Sequence, residues 1–143
     1  MIYRLIKNLD DEDIPIILSA YKQPSISQFI SIDEENYWKY ITSSENVYFY
    51  KIYKDDILAS TIHLELDNRV LYMSVVVFPE FQKQGIATTI LKDIQAGKTG
   101  LDFDKIQVSV DEKNTASLKL FESAGFICVD KDEELLEYEY RKN

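Results

Sequence analysis

A short segment of small and amide-bearing residues, Gln82 to Ala87 (QKQGIA), has the composition best suited to binding an anion. It follows three valines, Val75–Val77, that favour a strand, which Pro79 ends because proline cannot donate to a ladder. From Ile86 the apolar residues recur at helical spacing, so a helix begins close to Gly85. The unpaired N–H groups of its first turn and the helix dipole predict a phosphate-binding turn.

Gly85 has a second interpretation. Without a Cβ it lets a pyrophosphate approach the backbone closely, and the small Ala87 keeps the first helical turn open. The same glycine would also relieve a tight strand-to-helix turn that binds nothing, and short patterns of this kind recur by chance. The turn alone leaves both interpretations open.

A second segment, residues 114–126 (NTASLKLFESAGF), has the pattern of a well-capped amphipathic helix. Asn114 is a good N-cap residue, and Gly125 suits the left-handed position that closes a helix. Phe126 then begins another strand, predicted over 126–129. Taken alone, this segment is structural.

The two segments together resemble the GNAT superfamily of acyl-CoA-dependent N-acyltransferases. In that family a strand leads through [QR]-x-x-G-x-[GA] into a helix, and N-x-x-[AS]-x-x-L-[YF]-x-x-x-G-F follows about thirty residues later. The motifs cover residues 70–126, whereas residues 1–69 match only as a pattern of elements. The matching positions here are Gln82, Gly85 and Ala87, then Asn114, Ser117, Leu120, Phe121, Gly125 and Phe126.

The resemblance implies acetyl-CoA as cosubstrate and assigns positions to it. Main-chain groups of the strand before the turn would contact the pantetheine arm and polarise the thioester carbonyl, and residues 82–88 would surround the pyrophosphate. The residue at the Asn114 position often bonds the pantetheine or a neighbouring water. The implied coenzyme-binding residues are Val75, Val76, Val77, Gln82, Lys83, Gln84, Gly85, Ile86, Ala87, Thr88, Asn114, Ser117 and Phe121.

The sequence departs from the family at the catalytic positions. Phe121 replaces the tyrosine that often protonates the departing thiolate. Two positions where some members carry a base glutamate align near Leu71 and Ser109, and neither has a carboxylate. Three alternatives stay open and no catalytic residue is assigned: water relays the proton, catalysis has been lost, or another residue assists, such as Glu65, Tyr138 or Tyr140.

The leading functional hypothesis is an N-acetyltransferase that transfers an acetyl group directly from acetyl-CoA to a primary amine of a small molecule, peptide or protein. The attacking amine, with a lysine-like pKa of about 10.4, must lose a proton first. General-base catalysis at the amine therefore matters more than general-acid catalysis at the departing thiolate. The rival hypothesis is a catalytically weak or inactive acyl-CoA-binding regulatory module, motivated by Phe121. A purely structural interaction domain is the third.

Length and composition favour a single domain over residues 1–143, with 45% hydrophobic residues and no low-complexity tract. No apolar run approaches the roughly 20 residues of a membrane span, and no signal-peptide core is present. The one cysteine, Cys128, excludes an intramolecular disulfide, fits a reducing compartment such as the cytoplasm, and is expected to be buried. His63 is the only histidine and is expected to be structural, with proton transfer as the alternative; no metal site is predicted.

The formal net charge of -9 argues against binding nucleic acid and leans towards a cationic amine. Much of the acid lies in two segments, 10–13 and 130–139, which are expected to be solvated faces without catalytic weight. The family resemblance implies that the first two helices and the last strands contact the acceptor. Aromatic residues in these elements fit an acceptor cleft, core packing or a homodimer contact equally well. They are Phe29, Tyr37, Trp38, Tyr40, Tyr138 and Tyr140.

The patterning predicts an α/β protein with a central mixed sheet flanked by helices, in the order β-α-α-β-β-β-α-β-α-β-β that the family resemblance implies. Asp10 is the predicted cap of the first helix, and Ser31 with Glu34 the capping box of the second. The predicted strands are 2–7, 47–54, 57–66, 70–78, 105–110, 126–129 and one more after them. Two early helices, 11–22 and 33–42, are predicted on either side of a mobile connector, 23–30.

Overall fold

The computed structural model describes residues 1–142, and its seven strands form one mixed sheet. The strand order is β1-β2-β3-β4-β5-β7-β6. Strand β4 pairs with β5 in parallel, whereas β1 with β2, β5 with β7, and β6 with β7 pair antiparallel. The strands are β1 (Ile2–Leu5), β2 (Val47–Lys54), β3 (Ile57–Asp67), β4 (Val70–Val77), β5 (Lys105–Asp111), β6 (Ile127–Asp132) and β7 (Leu135–Arg141).

The helices confirm the predicted order and add one element. Segment 23–30, predicted to be a mobile connector, contains the short helix α2 with Pro24 in its first turn. The two residues left between the predicted strands 47–54 and 57–66, Asp55 and Asp56, form a hairpin turn, and both have positive φ, as a two-residue turn between twisted strands requires. The helices are α1 (Ile14–Tyr21), α2 (Pro24–Ser27), α3 (Glu34–Ser43), α4 (Ile86–Gln95) and α5 (Thr115–Ser123), with a 3-10 helix at Pro79–Phe81.

The chain divides into two compact units. The amino-terminal unit comprises Met1–His63 and Val75–Gln84, and the carboxy-terminal unit comprises Leu64–Ser74 and the described residues from Gly85 onward. The first unit has a core of aliphatic and aromatic side chains in which the Trp38 and Phe49 rings pack edge to face, 5.0 Å between centroids. In the second unit the inward face of β5 is buried at Ile106, Val108 and Val110.

A network of charges lies inside the amino-terminal unit. The Lys51 ammonium contacts the Asp11 and Asp13 carboxylates, each at 2.9 Å, and the Tyr53 hydroxyl donates to Asp13. Burial alone would raise the pKa of Asp13, but the hydrogen bonds from Tyr53 and Lys51 and the charges of Lys51 and Arg4 lower it overall. The first acidic segment therefore includes a structural, ion-paired carboxylate at Asp13, and the prediction that it is simply solvated was wrong there.

Two predicted caps were wrong because a neighbouring aspartate takes the position. Helix α1 begins at Ile14 with Asp13, not Asp10, at the N-cap position, and Asp13 makes no side-chain cap bond. Helix α3 begins at Glu34, so Glu34 is too early to reach back as the predicted box requires. Its cap is Asp33, whose carboxylate accepts from the Glu35 and Asn36 amides at 3.1 and 3.4 Å.

The prediction that Cys128 is a buried core thiol was wrong. Its strand, β6, is the last in the sheet order, pairs with β7, and is exposed at every position. The exposed apolar residues there include Ile127 and Val129. An edge strand without a covering element leaves its side chains in water, so Cys128 is exposed as well.

No helix within residues 1–142 combines the length and the apolar character that crossing a membrane would require.

Candidate active site

The end of β4 directs alternate main-chain groups to opposite sides. The Val76 carbonyl accepts from the Ser60 hydroxyl at 2.6 Å, and the Phe78 amide donates to the Ala59 carbonyl at 2.9 Å, so both face β3. Neighbouring residues of a strand point their amide and carbonyl groups the opposite way. The main-chain groups of Val75 and Val77 therefore face away from β3.

The turn after β4 is braced by the two glutamine side chains of the sequence motif. Gln82 Nε2 donates to the Val77 carbonyl at 3.1 Å, and Gln84 Nε2 donates to the Glu80 carbonyl at 3.2 Å. Between them Lys83 has a φ of 63°, which is unusual for a residue with a side chain. These bonds hold the turn in shape and leave Lys83 exposed.

A lysine that the sequence did not single out lies beside this turn. Lys54, the last residue of β2, donates from its ammonium to Gln84 Oε1 at 3.3 Å. The two residues are 30 positions apart and belong to different motifs, so no local pattern points to the pair. The contact places a positive charge against the predicted phosphate-binding turn.

Gly85 and the start of α4 have the geometry of an anion site. Gly85 is the N-cap of α4 with a φ of 78°, and a Cβ added to it would meet nothing within 4 Å. The first amide bonded within the helix is that of Thr89, which donates to the Gly85 carbonyl at 3.1 Å. The amides of Ile86, Ala87 and Thr88 precede that bond, so they are the unpaired donors of the helix terminus.

The second motif has the predicted helix cap and a buried aromatic contact. The Asn114 side chain accepts from the Ser117 amide at 3.2 Å, which caps α5. Phe121 is buried and packs against Phe126 with ring centroids 5.1 Å apart. Gly125 has a φ of 90°, as predicted for the residue that closes the helix. The Ser117 amide thus takes part in the cap of α5, and the Phe121 ring packs the helix against Phe126.

One face of β5 and β7 carries polar side chains that are exposed at Ser109, half-buried at Gln107 and Glu137, and buried at Glu139. Because Ile106, Val108 and Val110 are buried, the alternate residues Gln107 and Ser109 lie on the opposite face. Register partners share a face, which adds Tyr72 opposite Gln107 and Glu137 opposite Ser109. We call this surface the open polar face; it consists of Tyr72, Lys105, Gln107, Ser109, Glu137, Glu139 and Arg141.

The two carboxylates of the open polar face differ in their partners. The Ser109 hydroxyl lies 2.7 and 2.8 Å from the two carboxylate oxygens of Glu137, and Gln107 Nε2 lies 3.5 Å from one of them. Glu139 instead binds two cations, Lys105 at 3.5 Å and Arg141 at 2.6 Å. Within residues 1–142, Glu137 forms no salt bridge.

The tyrosines considered as catalytic assistants lie on the other face of β7. Tyr138 is opposite the buried Val108, and its hydroxyl donates to Glu122 at 3.1 Å. Tyr140 is opposite the buried Ile106 and packs against Phe126. The structure thus separates both tyrosines from Ser109 and Glu137 by the thickness of the sheet.

The aromatic residues of the early helices divide between packing and exposure. Trp38 is buried in the core of the amino-terminal unit, whereas Tyr40 is 46% exposed. The Tyr37 hydroxyl hydrogen-bonds to His63 Nδ1 at 2.7 Å, and His63 is half-buried. Core packing therefore explains Trp38, and the hydrogen bond between Tyr37 and His63 is compatible with the structural role expected for His63.

No group of three histidine, cysteine, aspartate or glutamate side chains suited to a metal ion occurs among the described residues.

Comparison with known proteins agrees with the fold. The family model described as "Acetyltransferase (GNAT) domain" matches residues 17–136. No curated protein matches the sequence.

Solved structures share the whole fold at low sequence identity. Campylobacter jejuni N-acetyltransferase PseH in complex with acetyl coenzyme A has a TM-score of 0.78 at 14% identity, over 99% of this chain and 100% of that one. Vibrio cholerae spermidine N-acetyltransferase in complex with CoA and spermine has a TM-score of 0.79 at 20% identity, over 98% and 95%. The GNAT domain of S. lividans PAT has a TM-score of 0.78 at 14% identity, over 97% and 89%.

The mixed sheet, the αL glycine at the start of α4 and the capped α5 agree with the elements expected of an acyl-CoA-dependent N-acyltransferase, and the family model supports that class. The chain belongs to the GNAT acetyltransferase family, whose domain model covers most of it.

Proposed function

We propose that the protein transfers an acetyl group from acetyl-CoA directly to a primary amine of a small molecule, peptide or protein. The observation that carries the proposal is the segment from Val75 to Thr88: a strand end with outward main-chain groups, a braced turn and three unpaired helix amides. Backbone donors arranged in this way bind phosphate without needing charged side chains. The single cysteine is consistent with a cytoplasmic enzyme.

The residues present fit the coenzyme. The open space where a Gly85 Cβ would be leaves room for a pyrophosphate at the amides of residues 86–88. Lys54 and Lys83 add positive charge to the turn that precedes these amides in the chain. The outward main-chain groups of Val75 and the amide of Val77 suit the amide-bearing pantetheine arm, whereas the carbonyls of Val76 and Val77 already accept from Ser60 and Gln82.

The protein's contribution to the chemistry is to bind, orient and deprotonate. Bound acetyl-CoA supplies an activated acyl thioester; the acceptor amine must reach it neutral. Phe121 has no proton to give, and a thiol with a pKa near 8.5 leaves without strong acid help. Positioning the amine against the end of β4 is therefore the main task of this chain.

The proposed acceptor is a class of compounds, the primary amines. The net charge of -9 favours a cationic amine. The structural neighbour from Vibrio cholerae is a spermidine N-acetyltransferase solved with spermine, which supports testing polyamines first.

A continuous thiol-release assay tests the function directly. The purified protein is incubated with acetyl-CoA and a panel of monoamines, polyamines, amino sugars and peptides. We expect release above background with at least one amine. If no acceptor supports release but coenzyme still binds in calorimetry, the protein is instead the acyl-CoA-binding regulatory module that Phe121 suggests.

Two glycines form a matched pair that tests the phosphate turn. Gly85 and Gly97 have φ values of 78° and 79°, and neither has an atom within 4 Å of an added Cβ. Gly85→Ala and Gly97→Ala should each lose about 1 kcal/mol of unfolding free energy from the left-handed backbone. Only Gly85→Ala should weaken acetyl-CoA binding, by about tenfold or more in calorimetry. Equal affinity of the two variants would remove the phosphate-turn assignment.

A further inference from the structure

The open polar face lies where two parallel strands stop pairing. Strands β4 and β5 pair at only three positions, which end with Tyr72 opposite Gln107. Strand β5 continues to Asp111, and over that stretch the structure pairs it with β7. In open α/β sheets ligands bind in the crevice outside the carboxyl ends of strands, and Ser109 lies near the carboxyl end of β5. Ser109 and its partner Glu137 occupy the first outward-facing position beyond the last pair of β4 and β5.

Glu137 is held in place without being neutralised. The Ser109 hydroxyl and the Gln107 amide are neutral donors, so they orient the carboxylate and leave its charge intact. Glu139 lies two positions further along β7, on the same face as Glu137, and has the same side chain. Its carboxylate, however, binds Lys105 and Arg141. The strand thus pairs the Glu139 carboxylate with cations of the protein, whereas the Glu137 carboxylate has only neutral partners among residues 1–142.

The remaining hydrogen-bonding capacity of Glu137 suits a compact cation. The Ser109 hydroxyl is within reach of both carboxylate oxygens. A guanidinium needs both oxygens together for its two parallel bonds, whereas an alkylammonium approaches as a point charge. The 42% exposed ring of Tyr72 lies on the same face and offers an apolar surface for methylene groups.

We propose that Glu137, oriented by Ser109 and Gln107, binds an alkylammonium group of the acceptor, so that the acceptor is an amine with a second positive charge. The inference rests on the proposed acetyl transfer, in which one amino group reacts while another is anchored. Glu137 is therefore a specificity-determining residue: it discriminates a diamine or polyamine from a monoamine of equal length.

Kinetics with a matched pair of acceptors test the discrimination. The probes are 1,4-diaminobutane and butylamine, and the variants are Glu137→Gln and the control Glu134→Gln, which removes one charge from an exposed residue of the turn between β6 and β7. In Glu137→Gln the kcat/KM for the diamine should fall about tenfold, mainly through KM, while kcat/KM for butylamine and KM for acetyl-CoA change less than about twofold. Glu134→Gln should behave as wild type.

Calorimetry separates failure of the anchor from failure of the reaction. Titration of 1,4-diaminobutane into the protein saturated with CoA needs no turnover, so it reports on Glu137 even if no thiol is released. We expect about tenfold weaker binding in Glu137→Gln and a smaller loss in Ser109→Ala, which removes a donor that orients the carboxylate. Equal weakening in Glu137→Gln and Glu134→Gln, or an equal fall in turnover of diamine and monoamine, would overturn the proposal.

Discussion

Two acidic segments, residues 10–13 and 130–139, differ in how the protein treats their charges. In the first, Asp13 is 9% exposed and binds Lys51 and Tyr53 within the amino-terminal unit. In the second, Glu137 receives only neutral donors on an open face. The ion-paired Asp13 serves the fold. Glu137 has no cationic partner among residues 1–142, as the proposed anchor for an acceptor ammonium requires.

Replacing Lys51 should produce the largest change. Lys51→Met leaves Asp11 and Asp13 without their shared cation, and breaking a buried ion pair costs about 3–5 kcal/mol of unfolding free energy. Urea denaturation measures the loss. The control is Lys22→Met in the same unit, whose ion pair with Glu34 is largely exposed and should cost less than about 1 kcal/mol. Similar losses in both would mean that the first segment is merely solvated.

Glu139 should behave as an intermediate case. It lies in the second segment but is 9% exposed and bound by two cations. Glu139→Gln should lower the unfolding free energy by about 1.5 kcal/mol, because charge-assisted hydrogen bonds are lost from a shielded position. Chemical denaturation compares it with Glu137→Gln, which lies two residues away on the same strand. A loss smaller than that of Glu137→Gln would contradict the assignment of the two roles.

Acid should weaken the fold through Asp13. Its pKa is lowered in the folded state, so its contribution is complete above the ordinary value of 3.8 and is lost as the pH falls through the lowered pKa. Wild type should therefore lose more stability between pH 5 and pH 3 than Asp13→Asn, which cannot titrate there. Urea titrations at the two pH values provide the comparison, and parallel losses in both proteins would show that Asp13 is not the group responsible.

The smallest effect on stability is expected for Glu137→Gln. The amide keeps the shape of the carboxylate and its contact with Ser109, and the change removes no ion pair described within residues 1–142. Its unfolding free energy should stay within about 0.5 kcal/mol of wild type, as is usual for such surface changes. A larger loss in denaturation would place Glu137 with Asp13 among the structural carboxylates and end the contrast between the segments.

The sequence predicts the local backbone conformation of the two motifs and of the first hairpin well, because that conformation depends on local information. The αL glycine at 85, the cap at Asn114 and the hairpin at Asp55-Asp56 each depend on a few neighbouring residues. Those residues impose the backbone conformation by themselves, so the motif and the structure coincide.

The polar face was beyond sequence reasoning because its contacts depend on strand register. Ser109 and Glu137 are 28 residues apart and meet because β5 and β7 pair in one particular alignment. Lys54 and Gln84 meet in the same way across 30 residues. Shifting a strand by one position would turn each side chain to the opposite face, and charge patterns do not encode that shift.

The edge position of β6 also determines which of its backbone amides should exchange quickly with solvent. Each second amide of this strand is directed at β7 and is held in the ladder, apart from the irregularity between Cys128 and Asp130. The amides between them point outward from the last strand of the sheet order. In deuterated water we expect β6 to exchange in an alternating pattern, one amide fast and the next slow, with a break in that pattern at Val129, where the register shifts.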